Sequence, residues 1–268
     1  MSGDSRHSRH TDYSSYLLID DLLQLQRPLT PGADDEMLFI VVHQSYELWF
    51  KLILHELDGT RAELTAGRPW SATPRLRRAV AAERLLLEHL DVLETMSPDG
   101  FFAFRDPLAP ASGFESVQFR EIELLSGGIA PSEGAVAAAQ GGGRDRLSAR
   151  ASEPTLWDAV IACLGKLDLV EVAATDGRTT GEHDAVLATV VSIYRQHDDP
   201  VRAAVHELFE SLVDHDEAVA LWRHRHMLVA AREIGGRPGT GGSLGVEYLS
   251  RTLPKRFFPV LWEARSLL

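Results

Sequence analysis

Met37-Leu-Phe-Ile-Val-Val-His-Gln-Ser-Tyr-Glu-Leu-Trp-Phe50 is the most apolar helical stretch of the chain, and His43 stands in its middle. Phe39 lies one helical turn before His43, so phenyl ring and imidazole project from the same side. A lone histidine among large apolar groups is ordinarily a core residue whose ring nitrogens find local partners. A second segment shifts that balance: Trp222-Arg-His-Arg-His226, followed by the glycine-rich run Pro238-Gly-Thr-Gly-Gly-Ser243. Two buried-looking histidines and a glycine turn are the ingredients of an enclosed site.

Helical spacing extends outward from this stretch. Asp34 or Asp35 can cap a helix that runs to about Leu64, with acidic residues at its start as the helix dipole favours. Upstream, Tyr16, Leu17, Asp20, Leu23 and Leu25 form a short amphipathic segment ending near Pro28, and residues 1–10 are polar and expected to fray. Downstream, a stripe of Val80, Leu86, Leu87, Leu90 and Leu93 predicts a helix over about 75–96. Residues 97–113, with Pro98, Pro107, Pro110, Gly100 and Gly113, are expected to be an irregular loop. Helix resumes at 115–125. Residues 127–153, rich in Gly, Ala and Ser, are expected to be a mobile surface excursion within a single domain spanning 1–268. Further helices are expected at 154–169 and 182–197. A long one at 201–234 has a possible break near Asp214–Asp216 and a glycine stop at Gly235. Short pieces follow at 246–252 and 257–266. No strand-like alternation or internal repeat is present, so the fold class is all-α.

Composition narrows the function. With 268 residues, 44% hydrophobic and 25% charged, the chain suits one large domain with a substantial core. A net charge of −12 argues against nucleic acid or an anionic membrane as partner. The single cysteine, Cys163, excludes an intrachain disulfide, fits a reducing compartment and reads as a structural thiol. The polar start and the absence of a long uninterrupted apolar run lead to the expectation of a cytoplasmic protein with no membrane segment.

Metal sites built from several side chains fail on spacing. His224 and His226 point about 200° apart on a helix and cannot share an ion. His206-Glu207 and His55-Glu56 lack the second histidine of a zinc-protease helix, and no convincing pair of Glu-x-x-His helices is present for a two-iron bundle. The glycine run lacks the Gly-Lys-Ser/Thr ending of a phosphate loop, and on its own is a helix stop. A single histidine can still bind iron when a porphyrin supplies the other ligands. Residue by residue, this leaves an acidic helical domain with two histidines suited to a buried site and Arg105 in an aromatic segment, with no reaction named.

The ordered set Tyr13-Ser-Ser-Tyr16, Asp35 to Lys51, His55-Glu-Leu-Asp58, Phe104-Arg-Asp106, Ala111-Ser-Gly-Phe114, Gln118-Phe-Arg120, Trp222 to His226, Gly239-Thr-Gly-Gly-Ser243 and Arg256-Phe-Phe-Pro259 spans nearly the whole chain. Together these segments resemble the tryptophan 2,3-dioxygenase family. The resemblance implies a haem enzyme that inserts both atoms of O2 across the indole C2–C3 bond of L-tryptophan, giving N-formylkynurenine, with one haem b per subunit in a buried pocket. It implies His226 as the axial iron ligand, its second ring nitrogen held by some acceptor. It makes His43 the distal base that receives the indole N–H, and Phe39 and Phe101 the aromatic walls. Arg105 becomes the anchor of the substrate carboxylate, Thr240 a contact at the amino-acid end, and Ser112 a pocket position near the haem. Tyr13 and Tyr16 match tyrosines that an exchanged N-terminal segment inserts into a neighbouring subunit, which implies a homo-oligomer, usually a tetramer. Three positions depart from the family pattern: Phe101 where many bacterial members have tyrosine, Glu115 for glutamine and Leu244 for serine. A relative tuned to a substituted tryptophan would keep all the same matching residues; a haem sensor or carrier and a cofactor-free helical interaction protein are the readings from other classes.

Overall fold

The computed structural model describes residues 12–127, 129–139, 141–170 and 180–268. In chain order the helices are α1 (Tyr13–Leu17), α2 (Ile19–Leu22), α3 (Asp35–Thr65), α4 (Pro69–Leu93), α5 (Pro98–Leu108), α6 (Val117–Gly127), α7 (Glu133–Ala138), α8 (Gly143–Ala151), α9 (Leu156–Lys166), α10 (Thr180–Arg195), α11 (Pro200–Ile234), α12 (Val246–Ser250) and α13 (Pro259–Ala264). Short 3-10 turns lie at Gly113–Glu115 and Arg265–Leu267, and among the described residues there is no strand. The fold is all-α, as expected. The expected frayed residues 1–10 lie outside the described residues.

Three long helices make the frame. α4 packs along both α3 and α11, while α9, α6 and α5 close on α3. Ile53, Leu57, Leu64, Leu76, Leu90, Phe209 and Leu212 meet in the shared core and are fully or almost fully buried. Buried charge fixes how these helices register. Glu56 of α3 takes Arg75 at 3.2 Å and Arg78 at 2.7 Å from α4, and Gly59 leaves the room the Arg75 guanidinium needs. Glu36, in the first turn of α3, accepts backbone N–H bonds from Leu29 and Thr30, tying the preceding loop to the helix. Among the described helices, α3 is the one long and apolar enough to cross a bilayer by length and composition. Its buried Glu36 and Glu56, and its packing against four other helices, suit a core element.

Several sequence expectations are corrected. Residues 98–108 form helix α5, not a loop. Ser97 caps it by accepting from Gly100 N, Pro98 occupies the first turn where its missing N–H costs nothing, and Phe101 and Phe104 are buried. The segment 127–153, expected to be a surface excursion, carries α7 and α8; Ala135 of α7, Ala139 at its end and Leu147 of α8 are buried, and the last two form a satellite cluster with Leu124 of α6. A Cβ on Gly143 would come within 2.7 Å of Val117, so glycine there lets α8 lie close on α6. α4 starts at Pro69, six residues earlier than its apolar stripe suggests. The N-terminal segment is split at Leu18, whose φ of 51° breaks the helix.

α11 runs unbroken through Asp214–Asp216. The reason is that its polar groups there have partners. Asp216, fully buried, accepts from Phe257 N at 3.0 Å, Phe258 N at 3.2 Å and Trp262 Nε1 at 2.9 Å. His215 bridges Glu83 of α4 at 2.7 Å and Ser126 of α6 at 2.8 Å. Cys163 is buried and its thiol pushed up to about 11 by desolvation, as befits a structural residue. Replacing Asp216 by Ala strands three donors, two of them buried backbone N–H groups. Asp216→Ala should therefore lower the unfolding free energy by about 3 kcal/mol, and Asp216→Asn by less. Urea denaturation measures this, and equal midpoints for wild type and Asp216→Ala would contradict the anchoring role.

Candidate functional site

Two helical stripes with the same spacing line one cavity of about 540 Å3 and meet where Trp222 stands 6.2 Å from Tyr46 and 6.4 Å from Phe50. On α3 the stripe is Phe39, His43, Tyr46 and Phe50; on α11 it is Trp222, His226, Val229 and Glu233. Steps of four, three and four residues keep each set on one side of its helix. The remaining walls come from Leu90 and Leu93 of α4 with Met96, from α5, from the 3-10 turn and α6, and from the glycine loop with α12.

His43 has a fixed tautomer. Its Nδ1 lies 2.8 Å from the Phe39 carbonyl, which can only accept, so Nδ1 carries the proton and Nε2 keeps a lone pair. Burial lowers its pKa and holds the ring neutral; the Phe39 carbonyl and the Glu47 charge oppose this. Phe39 stacks on the imidazole at 3.9 Å between centroids, and Phe101 stands 6.0 Å from Phe39. The aromatic pocket thus grows from one helical turn of α3 and the buried face of α5.

His226 is pushed down to about 4, first by desolvation and then by His43 and Arg120, so it too is neutral near pH 7. Trp222 stacks on His226 at 5.0 Å and 20° and so orients it. The acceptor expected for its second ring nitrogen is not found among the described residues; stacking does that work. A neutral imidazole with unengaged nitrogens on a cavity wall is the state a metal ligand requires. No group of three or more His, Cys, Asp or Glu side chains able to hold a metal occurs among the described residues.

The polar end of the cavity is assembled from distant segments. Arg105 of α5 donates from Nη2 to the Pro238 carbonyl at 2.8 Å, and its buried Nε has no acceptor among the described residues. Thr240 donates from Oγ1 to the Ala111 carbonyl at 2.7 Å. Gly241 packs so closely on Ser112 that a Cβ would come within 2.8 Å, so the loop needs glycine to close over the site. Leu244 is 58% exposed and does not line the cavity, so that departure leaves the site's interior unchanged. Glu115 lies on the partly exposed rim.

Seven of the residues singled out from the sequence therefore meet in one cavity: Phe39, His43, Phe101, Arg105, Ser112, His226 and Thr240. Tyr13 and Tyr16 do not; they are 76% and 74% exposed on α1. Two features had not been singled out. One is a buried charge cluster in which Glu123 takes Arg120 at 2.5 Å and Arg223 at 2.7 Å. Its arginines sit inside quoted motifs, but spacing alone does not bring α6 to α11. The other is Glu233, hidden by its position in an otherwise ordinary helix end.

Comparison with known proteins agrees with this geometry. The family model described as tryptophan 2,3-dioxygenase matches residues 2–133 and 153–268. Among curated relatives, a tryptophan 2,3-dioxygenase of Nocardioides sp. is 44% identical, covering 95% of this chain and 93% of the relative. Those of Herpetosiphon aurantiacus and Anaeromyxobacter dehalogenans are 41% and 40% identical, the first covering 97% of this chain and 99% of the relative, the second 100% of both. With matches of this extent, and with His43 and His226 lining one cavity, the chain belongs to the tryptophan 2,3-dioxygenase family.

Proposed function

We propose that the protein converts L-tryptophan and O2 to N-formylkynurenine in tryptophan catabolism, with haem b as its cofactor, one per subunit. The observation that carries this is the pair of neutral imidazoles, His43 and His226, lining one mainly apolar cavity. In the net reaction both oxygen atoms enter the product as the indole C2–C3 bond breaks, and no external reductant is consumed.

The residues present fit a haem. His226 offers a lone pair and has no protein partner among the described residues. The Arg223 guanidinium, 3% exposed, keeps an Nε with no acceptor among them, suited to a carboxylate of the porphyrin edge. When bound, haem supplies the O2 chemistry, which no side chain in the cavity can perform.

The protein's part is placement. Arg105 holds the substrate carboxylate, for which its unengaged Nε and planar fork are suited. Thr240 keeps its acceptor lone pairs for the ammonium end while its proton is committed to Ala111. Phe39 and Phe101 flank the indole, and Ser112 supports the closed glycine loop. His43 Nε2 accepts the indole N–H, orienting C2–C3 in the cavity and making His43 the catalytic residue of the set. The closed loop limits water.

Exposed Tyr13, Tyr16, Leu18 and Leu23 on α1–α2 support a homo-oligomer, a tetramer, in which this segment covers a neighbour's site. The acidic charge and single buried cysteine support a cytoplasmic location, with neither nucleic acid nor membrane as partner.

Oxygen uptake matched by formylkynurenine absorbance on adding L-tryptophan to the haem-loaded protein tests the activity. For His226→Ala the expected outcome is loss of bound haem or of its histidine-ligated spectrum; an unaltered ferrous spectrum would reassign the ligand. Arg105→Ala should reduce kcat/KM by roughly 30- to 150-fold, about 2–3 kcal/mol, and full efficiency at low tryptophan would remove its anchoring role. In His43→Ala the turnover should fall while haem content stays near wild type. Equal loss of both would make His43 structural.

A further inference from the structure

Arg105 and the carbonyl it donates to are both held by one aromatic ring that does not line the cavity. Phe102 is half-buried on α5 and stands outside the lining set. The Arg105 guanidinium, one helical turn further on, has its Cζ 5.9 Å from the centre of the Phe102 ring. The Arg237 guanidinium lies closer, at 4.6 Å. Arg237 immediately precedes Pro238, whose carbonyl accepts from Arg105 Nη2 at 2.8 Å. Phe102 therefore grips both the donor side chain of this hydrogen bond and the segment that carries its acceptor.

Little else competes for these two arginines. The Arg237 side chain is exposed and pairs with no described acid, so the ring is what places it. Arg105 has an ion pair with Asp106, but at 3.8 Å and with Asp106 94% exposed it is solvated and weak. The loop behind Arg237 is bonded to itself: Gly239 N–H donates to the Ser243 carbonyl at 3.1 Å, and Gly242 N–H to the Gly239 carbonyl at 3.0 Å. It begins at Gly235 and ends at Gly245, both at φ 57°, where a glycine backbone is least constrained. Side-chain contacts, not the ends of the loop, thus fix where Pro238 sits.

We propose that Phe102 is a positioning residue for recognition of the substrate carboxylate: its ring holds Arg105 and Arg237, and through them the Arg105–Pro238 hydrogen bond that aims the anchoring guanidinium. This rests on the anchoring role given to Arg105 above. A π face suits the task because it attracts a guanidinium without neutralising it. An acid in its place would form an ion pair with Arg105 and compete with the substrate. Leucine keeps most of the bulk and loses the attraction.

The test uses ferrous haem-loaded protein under nitrogen. Affinities for L-tryptophan and for tryptamine, which lacks the carboxylate, are measured from the haem absorption band, and the readout is their ratio. Because it is a ratio, a partly unfolded variant does not obscure it. Phe102→Leu should lower the wild-type ratio by about three- to tenfold, and Phe102→Tyr should keep it. Arg237→Gln should weaken tryptophan binding by roughly two- to fivefold in wild type and no further in Phe102→Leu. An unchanged ratio in Phe102→Leu overturns the proposal. So does equal weakening of both ligands, which would make Phe102 a packing residue. An Arg237→Gln cost that is the same in both backgrounds also overturns it, because Arg237 would then act by charge alone. Arg105→Ala separates the two levels. A ratio lowered there but not in Phe102→Leu defeats the positioning role alone, whereas a ratio unchanged in Arg105→Ala defeats the anchoring role and the proposal with it.

Discussion

Keeping two imidazoles uncharged while both line one largely apolar cavity is the constraint on which the site depends. Desolvation does most of this for both rings, and it requires walls that exclude water. Those walls come from the apolar stripes of α3 and α11, so the features that hold the core together also set the protonation of the site. The Phe39 carbonyl then decides which nitrogen of His43 is left to accept a proton donor.

The two stripes stay in register because α11 is anchored by polar groups, not by packing alone. Asp216 collects three N–H donors of the C-terminal segment, His215 links α11 to α4 and α6, and Arg223 meets Glu123 in the cavity wall. Apolar helices can slide past one another at little cost; a buried carboxylate with directed donors cannot move without losing them. The anchors at 215, 216 and 223 precede His226 within about three turns, so they limit how far that ring can shift.

The glycine loop shows the same economy at the other end. Arg105 and Thr240 each spend one donor on backbone carbonyls that close the loop, Arg105 on Pro238 and Thr240 on Ala111. What remains, the other N–H groups of Arg105, its buried Nε among them, and the Thr240 lone pairs, belongs to the cavity lining. Glu233 adds to the same cavity a buried carboxyl oxygen with no partner among the described residues.

Much of this was legible in residue order. The long apolar run around His43 set the helical class, and the family resemblance marked seven side chains that converge on one cavity. Residues 98–108 misread as loop because proline and glycine, breakers in general, are tolerated in a first turn capped by Ser97 and packed against Asp35. Likewise, the alanine- and glycine-rich stretch before Pro154 looked like an excursion, although small residues are what let α8 lie close on α6. Sequence by itself determined helicity, the polar and apolar faces, and the identity of the two histidines, because these depend on local periodicity and side-chain chemistry. The tertiary structure alone decided the His43 tautomer, the neutrality of His226, the Arg120–Glu123–Arg223 cluster and the isolation of Glu233. Each of those depends on how much water and which distant groups surround an atom, and no spacing along a single helix encodes that.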